Sequence, residues 1–393
     1  MRKIQLIIIM SSLCFCCHSC MHSNSSGLKP NSILTIKLDL QDVAETADEF
    51  NKMISDIEFV PLETSDSLIV GPIQKINYQN DCIYILDKYS NFFSFKQNGK
   101  FNFKITPKGK GKGEQREIRD FSILPDGNIC LLDYLKYFKY DTSGILIEII
   151  DIMVDGKINP TAFLITNEYQ YLYEQFNPGY EHEFALLVSQ HGSKRILNHY
   201  FPYKNASVSI NRFVQSGAAY LIPPVTGNDT IYKITDGEIK PFCFVDFGAN
   251  KVLAKCLIKD KKYDEIVECF QINSCAYNID HPVINGEFLI FDFVLEDHRL
   301  YQCSYSFKAN ESKIINSKNV SVFEPDFYYC SYDDKLITYK ESWFIISQLR
   351  EKKTTCSFLN EKRRFELLEK LKKVKETDNP VLMIIKTKKH AEI

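Results

Sequence analysis

The run Lys108-Gly109-Lys110-Gly111-Lys112-Gly113-Glu114 is followed within a few residues by Arg116, Arg119 and Asp120. Glycines let backbone N–H groups approach an anion and lysines add positive charge, which is the chemistry of a phosphate cradle. The order is not GxxxxGK[ST], and no helix pattern follows to contribute its N-terminal dipole. The run therefore reads as a crossover loop between strands, or as an anion or glycan contact, rather than a nucleotide site. Glu114, Arg116, Arg119 and Asp120 stand just before the apolar segment Phe121-Ser122-Ile123-Leu124. If that segment is the innermost strand of a repeat, the four converge on a central opening and can bind a polar ligand; a salt-bridge layer between repeats would use the same charges. Asp87 and Asp133 end similar apolar runs, and paired carboxylates can serve as acid and base on a glycosidic bond. Their equivalence in successive repeats reads more simply as turn capping. No GxSxG, HxH or HExxH occurs, no SxxK or Ser/His/Asp ordering reads as a nucleophile site, and Asp126-Gly127-Asn128 lacks the further acidic positions of a calcium loop. No catalytic residue is assigned, and no metal and no cofactor are expected.

What positions these residues is written in a repeat. Asp81-Cys82-Ile83-Tyr84-Ile85-Leu86-Asp87 is echoed by Asn128-Ile129-Cys130-Leu131-Leu132-Asp133, and the turn glycines Gly99, Gly144, Gly192 and Gly237 follow at intervals of 45, 48 and 45 residues. Each glycine is flanked by apolar runs with period-2 alternation, and tight hairpin turns need φ > 0 there. A period near 45 holding several short strands fits one blade of a β-propeller better than any helical repeat, with a pair of β-sandwiches as the competing architecture. Six blades fit the chain, the fifth around 286–307 and the sixth around 336–346, with Trp343 to Ile346 as a strand. A helical insertion is expected over 252–269. A second helix is expected over 360–376, with Phe365, Leu368, Leu371 and Val374 as its apolar stripe. The strand 381–385 then closes the ring against Ile57-Glu58-Phe59-Val60 and hides two sheet edges.

Composition agrees. The chain has 393 residues, 45% hydrophobic and 25% charged, with 28 Phe and 22 Tyr against one Trp, which favours strands and excludes disorder. The net charge of −2 gives no excess for tracking phosphates, so nucleic acid is not an expected partner. At the N-terminus, Arg2 and Lys3 precede an apolar run too short to span a bilayer, the pattern of a signal peptide. Ser19-Cys20 before a polar stretch resembles the lipobox of bacterial lipoproteins. That resemblance makes residues 1–19 the signal peptide, Cys20 the lipidated residue, 20–32 a tether and 33–393 the folded domain. Of 13 cysteines, nine lie outside the leader; an odd number cannot all pair, several sit in strand-like runs, and buried free thiols are expected, with Cys269 and Cys275 the one close couple.

The segments Phe59-Val60-Pro61-Leu62-Glu63-Thr64, Ile83 to Asp87, Lys108 to Glu114 before Asp120-Phe121, Asp229-Thr230-Ile231-Tyr232 with Val245-Asp246-Phe247-Gly248, and Asp378-Asn379-Pro380-Val381-Leu382 together resemble the six-bladed β-propeller lipoproteins of Bacteroidetes, whose blades are NHL-repeat-like. The resemblance covers the mature chain and departs at Gly111-Lys112-Gly113-Glu114, where the family tends to Gly-Pro-Gly-Glu. It implies an all-β, six-bladed propeller carrying a helical insertion and a C-terminal helix, lipid-anchored in the envelope of a Gram-negative bacterium on the periplasmic face or the cell surface. The expected role is a binding module for a glycan, a peptide or an envelope protein, held to the membrane through its lipid. The alternative is a carbohydrate- or peptide-active lyase or hydrolase working at the central opening.

Overall fold

A computed structural model describes residues 33–41, 43–44, 51, 53–109, 111, 114–152, 159–174, 184–193, 195–202, 213–224, 227–235, 237–257, 263–295, 299–316, 321–325 and 327–388. The leader and Cys20 lie outside them. The described chain is built almost entirely of short antiparallel strands. Three sheets are four-stranded meanders in chain order: one from Ile73–Gln79 to Phe101–Ile105, the next from Asp120–Ile123 to Leu146–Asp151, the third from Ala162–Ile165 to Ile196–Pro202. A fourth runs from Tyr277–Asn285 to Glu311–Asn316 and gains Val43–Ala44 as a parallel fifth strand. Burial follows strand order within a sheet: Asp120–Ile123 is buried throughout, whereas Leu146–Asp151 is almost wholly exposed. The first strand of each meander therefore lies innermost and the last on the rim.

The glycine period marks real turns. Gly99, Gly144, Gly192 and Gly237 all have φ between 75° and 82°. At Gly99 a Cβ would lie 2.2 Å from the Pro61 carbonyl oxygen, and at Gly144 2.6 Å from the Phe103 ring, so a side chain is excluded on both steric and dihedral grounds. Between neighbouring sheets the apolar faces interdigitate: Tyr84, Leu86 and Phe92 of the first pack on Phe121, Ile129 and Leu131 of the second, and Cys130, Leu132 and Tyr137 of the second on Phe163 and Leu172 of the third.

The expectation of six separate blades is not met by the sheets as they stand. Four are separate and blade-sized, and the fifth is a continuous nine-stranded sheet. Its halves meet where Val214–Ser216 runs parallel to Cys330–Tyr332 through the single pair Ser216 and Ser331. Both positions are small and buried, and both hydroxyls reach the Ile284 carbonyl, so the two strands can approach closely enough to bond. At the far edge of that sheet Val381–Thr387 pairs antiparallel with Ile54–Pro61, Met383 opposite Phe59, so the expected closure by the two chain ends is present.

The helices correct the sequence reading in detail. The insertion forms a 3-10 turn at Ala254–Cys256 and a helix at Tyr263–Ile272. A disulfide joins Cys256 to Cys269, with Cα atoms 5.5 Å apart, and Cys275 is a buried free thiol. The close couple is therefore 256 with 269, because the turn that carries Cys256 folds back onto the helix that carries Cys269. Trp343 to Ile346 is not a strand but part of the helix Ser342–Arg350, whose buried positions Ser342, Ile345 and Gln348 are three apart, and Trp343 is 56% exposed. Four apolar residues in a row do not distinguish the two periods. The last helix, Glu361–Leu371, starts where the Asn360 side chain accepts from the Arg363 N–H at 2.8 Å, the usual N-cap arrangement. Its buried residues are Leu367 and Leu371, with Val374 buried just beyond its end; Phe365 is 63% exposed, which rotates the face from the one expected.

Candidate functional site

The innermost strands converge on a cavity of about 590 Å³, within the range of small-molecule sites. Every meander contributes: Lys75 and Asn77, Phe121, Leu164, Gln215, and Asp280 with His281, closed by Phe327 and Tyr329. These come from the early part of each inner strand. The later parts (Gln79, Ile165, Ser216, Ile284) line a second cavity, which shares Ile123, Gln215 and Tyr220 with the first. The two are the mouths of one axial opening.

Lys75 and His281 at the first mouth are held by partners. Lys75 Nζ donates to Asp120 Oδ1 at 2.7 Å and to the Phe121 carbonyl at 2.7 Å. His281 Nδ1 lies 3.5 Å from Asp292 Oδ2, and Gln302 donates to the other oxygen of that carboxylate at 3.1 Å. Burial pushes the Asp292 carboxyl above its ordinary range, with the His281 contact opposing the shift. His281 stacks on Phe327 with centroids 4.7 Å apart, and Phe327 leans on Tyr329 at 5.0 Å. Tyr220 stays a neutral hydroxyl, pushed up to about 12 by burial.

Two wall residues are different. Asn77 and Gln215 are 4% and 6% exposed, and Asn77 Oδ1 and Gln215 Oε1 have no hydrogen-bond partner in the protein. A buried amide oxygen left so costs about 1–3 kcal/mol.

The residues singled out by sequence do not meet at this mouth as a set. Asp120 is closest, on an innermost strand as expected, but its oxygens are taken by Lys75 Nζ, its neighbour's Phe121 N–H and, at 3.0 Å, Phe163 N–H. Arg119 points away, its guanidinium on Asn159 Oδ1 and 3.6 Å from the Tyr134 ring centroid. The Arg116 N–H donates to Asp133 Oδ2, and Glu114 accepts from the Gly111 N–H at 2.8 Å. The loop they belong to connects the first and second sheets, as its crossover reading expected. Asp87 and Asp133 cap turns: Asp87 accepts from the Tyr89, Asn91 and Gly71 N–H groups, Asp133 from Tyr134 and Arg116. Sequence reasoning missed Asn77, Gln215 and His281. The available signal was a polar residue in the middle of the first strand of a repeat, where the pattern otherwise demands an apolar one. Among the described residues no group of three metal-ligating side chains occurs, and no helix is long and apolar enough to cross a membrane.

Comparison with known proteins adds a family and a fold. Residues 35–386 match the family model described as Domain of unknown function (DUF4934). A crystal structure of a candidate exported protein (BF0058) from Bacteroides fragilis NCTC 9343 superposes with a TM-score of 0.73 at 17% identity, covering 91% of this chain and all of that one. The likeness establishes a β-propeller-like fold. The WD40 domain of Neurospora crassa Pan2 matches with a TM-score of 0.38 at 11% identity, over 69% of this chain and 74% of its own. BamB from Moraxella catarrhalis matches with a TM-score of 0.36 at 10% identity, over 72% of each chain. No curated protein matches.

Proposed function

We propose that this chain, which belongs to the DUF4934 family, is a binding module of the bacterial envelope whose ligand enters the axial opening lined by Asn77, Gln215 and His281. The observation that carries the reading is the pair of buried, unpartnered amides in the wall of a cavity of ligand size. A fold gains nothing from these two oxygens, which are sealed from solvent in the unliganded protein; a rotation of either amide into the opening would offer its oxygen to a ligand without stripping it of a protein hydrogen bond. The nine-stranded sheet is read as two blades joined at Ser216 and Ser331, which makes six blades around the opening. Envelope location rests on the exported character given to the Bacteroides fragilis protein, on the lipobox resemblance at Cys20 and on the Cys256–Cys269 disulfide, a bond that persists in oxidising compartments. Glu114, Arg116 and Arg119 then serve the scaffold around the opening rather than its lining, and Asp120 holds Lys75 at the wall.

One observation favours a second reading, a lyase or hydrolase at the same opening: His281 is oriented by a buried carboxylate, the arrangement of a general base. The two are separated by a thermal-shift screen of the full chain against envelope glycans, peptidoglycan fragments and short peptides, followed by product analysis of each hit. A ligand at a hundred times its Kd adds about 2.7 kcal/mol. A shift abolished by Gln215→Met with the ligand recovered intact supports the binding module; a consumed ligand supports the enzyme; a shift indifferent to Gln215→Met removes the opening as the site.

A further inference from the structure

The ligand class follows from what the opening has already satisfied. The inner edges of the sheets, where an extended peptide would add as a strand, are occupied by side chains from the preceding repeat. Gln74 Nε2 donates to the Arg119 carbonyl and Gln79 Nε2 to the Leu124 carbonyl. Asp120 takes the Phe163 N–H, Ser122 both accepts from the Ile165 N–H and donates to its carbonyl, and Ser216 does the same at Ile284. With these backbone groups engaged, pairing to a sheet edge is closed to a peptide.

The charges are likewise compensated. Lys75 is held by Asp120 and His281 faces Asp292; Asp280 accepts from the His281 N–H, and Lys88 is a single exposed cation of the lining. A phosphate or carboxylate ligand would find no cation cluster prepared for it. The lining residues include two neutral amides whose oxygens are buried without a protein partner and become acceptors for a ligand once the amide turns into the opening, and flat rings at His281, Phe327 and Tyr329. A pyranose matches both: its hydroxyl rim hydrogen-bonds to amides, while its C–H face lies against the negative face of an aromatic ring.

Resting on the reading of the axial opening as the binding site, we infer that its ligand is a neutral saccharide, hydrogen-bonded by Asn77 and Gln215 and stacked on the His281, Phe327 and Tyr329 rings. Both amides then trade stability for binding, because an apolar residue of similar shape would remove an unpaired buried polar group.

The test is titration calorimetry of the full chain and its Asn77→Leu and Gln215→Met variants with maltotriose, mannotriose and chitotriose as neutral probes, trigalacturonate as an acidic one and trialanine as a peptide. At least one neutral trisaccharide is expected to bind, with affinity about fivefold to tenfold lower in each variant, while the free variants keep or raise their Tm. With the same loss in the variants, trigalacturonate binding tightest overturns the neutral character of the ligand and trialanine binding tightest overturns the saccharide class, while either keeps the opening as the site. Binding of any probe at equal affinity in wild type and both variants overturns the opening itself, and no binding by any neutral probe overturns the inference. If one variant fails to fold, the other carries the comparison.

Discussion

Asp120 ties three sheets with one carboxylate: Oδ1 accepts from Lys75 Nζ at 2.7 Å in the sheet before it, and Oδ2 accepts from the Phe163 N–H at 3.0 Å in the sheet after. The separations, 45 and 43 residues, are those of the repeat, and Gln74 to Arg119, Gln79 to Leu124 and Ser122 to Ile165 span the same intervals. The repeat period is thus also the reach of the side chains that fasten each blade to the next.

Asp120→Ala leaves Lys75 as a nearly buried cation without its carboxylate. Removing one partner of a buried pair typically costs about 3–5 kcal/mol; Lys75 keeps 13% of its surface and the Phe121 carbonyl, so a loss near the lower figure is expected in urea unfolding. The double variant Lys75→Met, Asp120→Leu should recover most of it. A loss below about 0.5 kcal/mol in the single variant would show that the pair is not a fastening.

Asp229 carries part of the pH dependence, beside the carboxyls of Asp292 and Glu341 that burial also pushes up. Burial, reinforced by Asp246, pushes its carboxyl up to about 6, above the value of the unfolded chain. The folded state therefore favours the protonated acid: that stabilisation is complete below about pH 4 and is lost as pH rises through about 6. Asp229→Asn removes the penalty and tolerates the residue's φ of 51°. The variant should be more stable than wild type by about 1–3 kcal/mol at pH 7.5 and no more stable at pH 4. Equal gains at both pH values would remove Asp229 as the cause.

The Cys256–Cys269 bridge closes a short loop, sequence separation 13, and a loop of that size is worth about 3 kcal/mol. Peptide mapping without reductant should recover the two cysteines joined, and Cys256→Ser should lower Tm. Cys275, buried and pushed up by desolvation, should alkylate only after denaturation. Recovery of Cys269 joined to Cys275 instead would contradict the pairing.

Closure by the chain ends should be indispensable. Met383 is fully buried among Phe59, Phe323 and Leu336, so Met383→Ala is expected to cost about 2–5 kcal/mol. Truncation after Pro380 should abolish cooperative unfolding, and a truncated chain with an unchanged melting transition would show that Val381–Thr387 is dispensable.

The sequence announced what repeats: hairpin glycines, alternating strands, turn-capping Asp87 and Asp133, and the closing strand all follow from local chemistry. It was silent where the outcome depends on which repeats touch. Ser216 and Ser331 are 115 residues apart, and nothing local says that their strands will join two sheets into one. The Trp343 segment and the register of Phe365 failed because short apolar runs fit more than one period. The site was least legible, since Asn77 and Gln215 matter only through the cavity that distant strands enclose, whereas the conspicuous charges of 108–120 are spent on the scaffold.

Hydrogen–deuterium exchange of the full chain, with and without the tightest ligand from the screen, tests the central claim most directly. Ligand protection is expected in peptides covering residues 73–77, 213–216 and 280–284, which line the opening from different sheets. Protection confined to the 108–114 loop or to rim strands such as Leu146–Asp151, with those three segments unchanged, would contradict it.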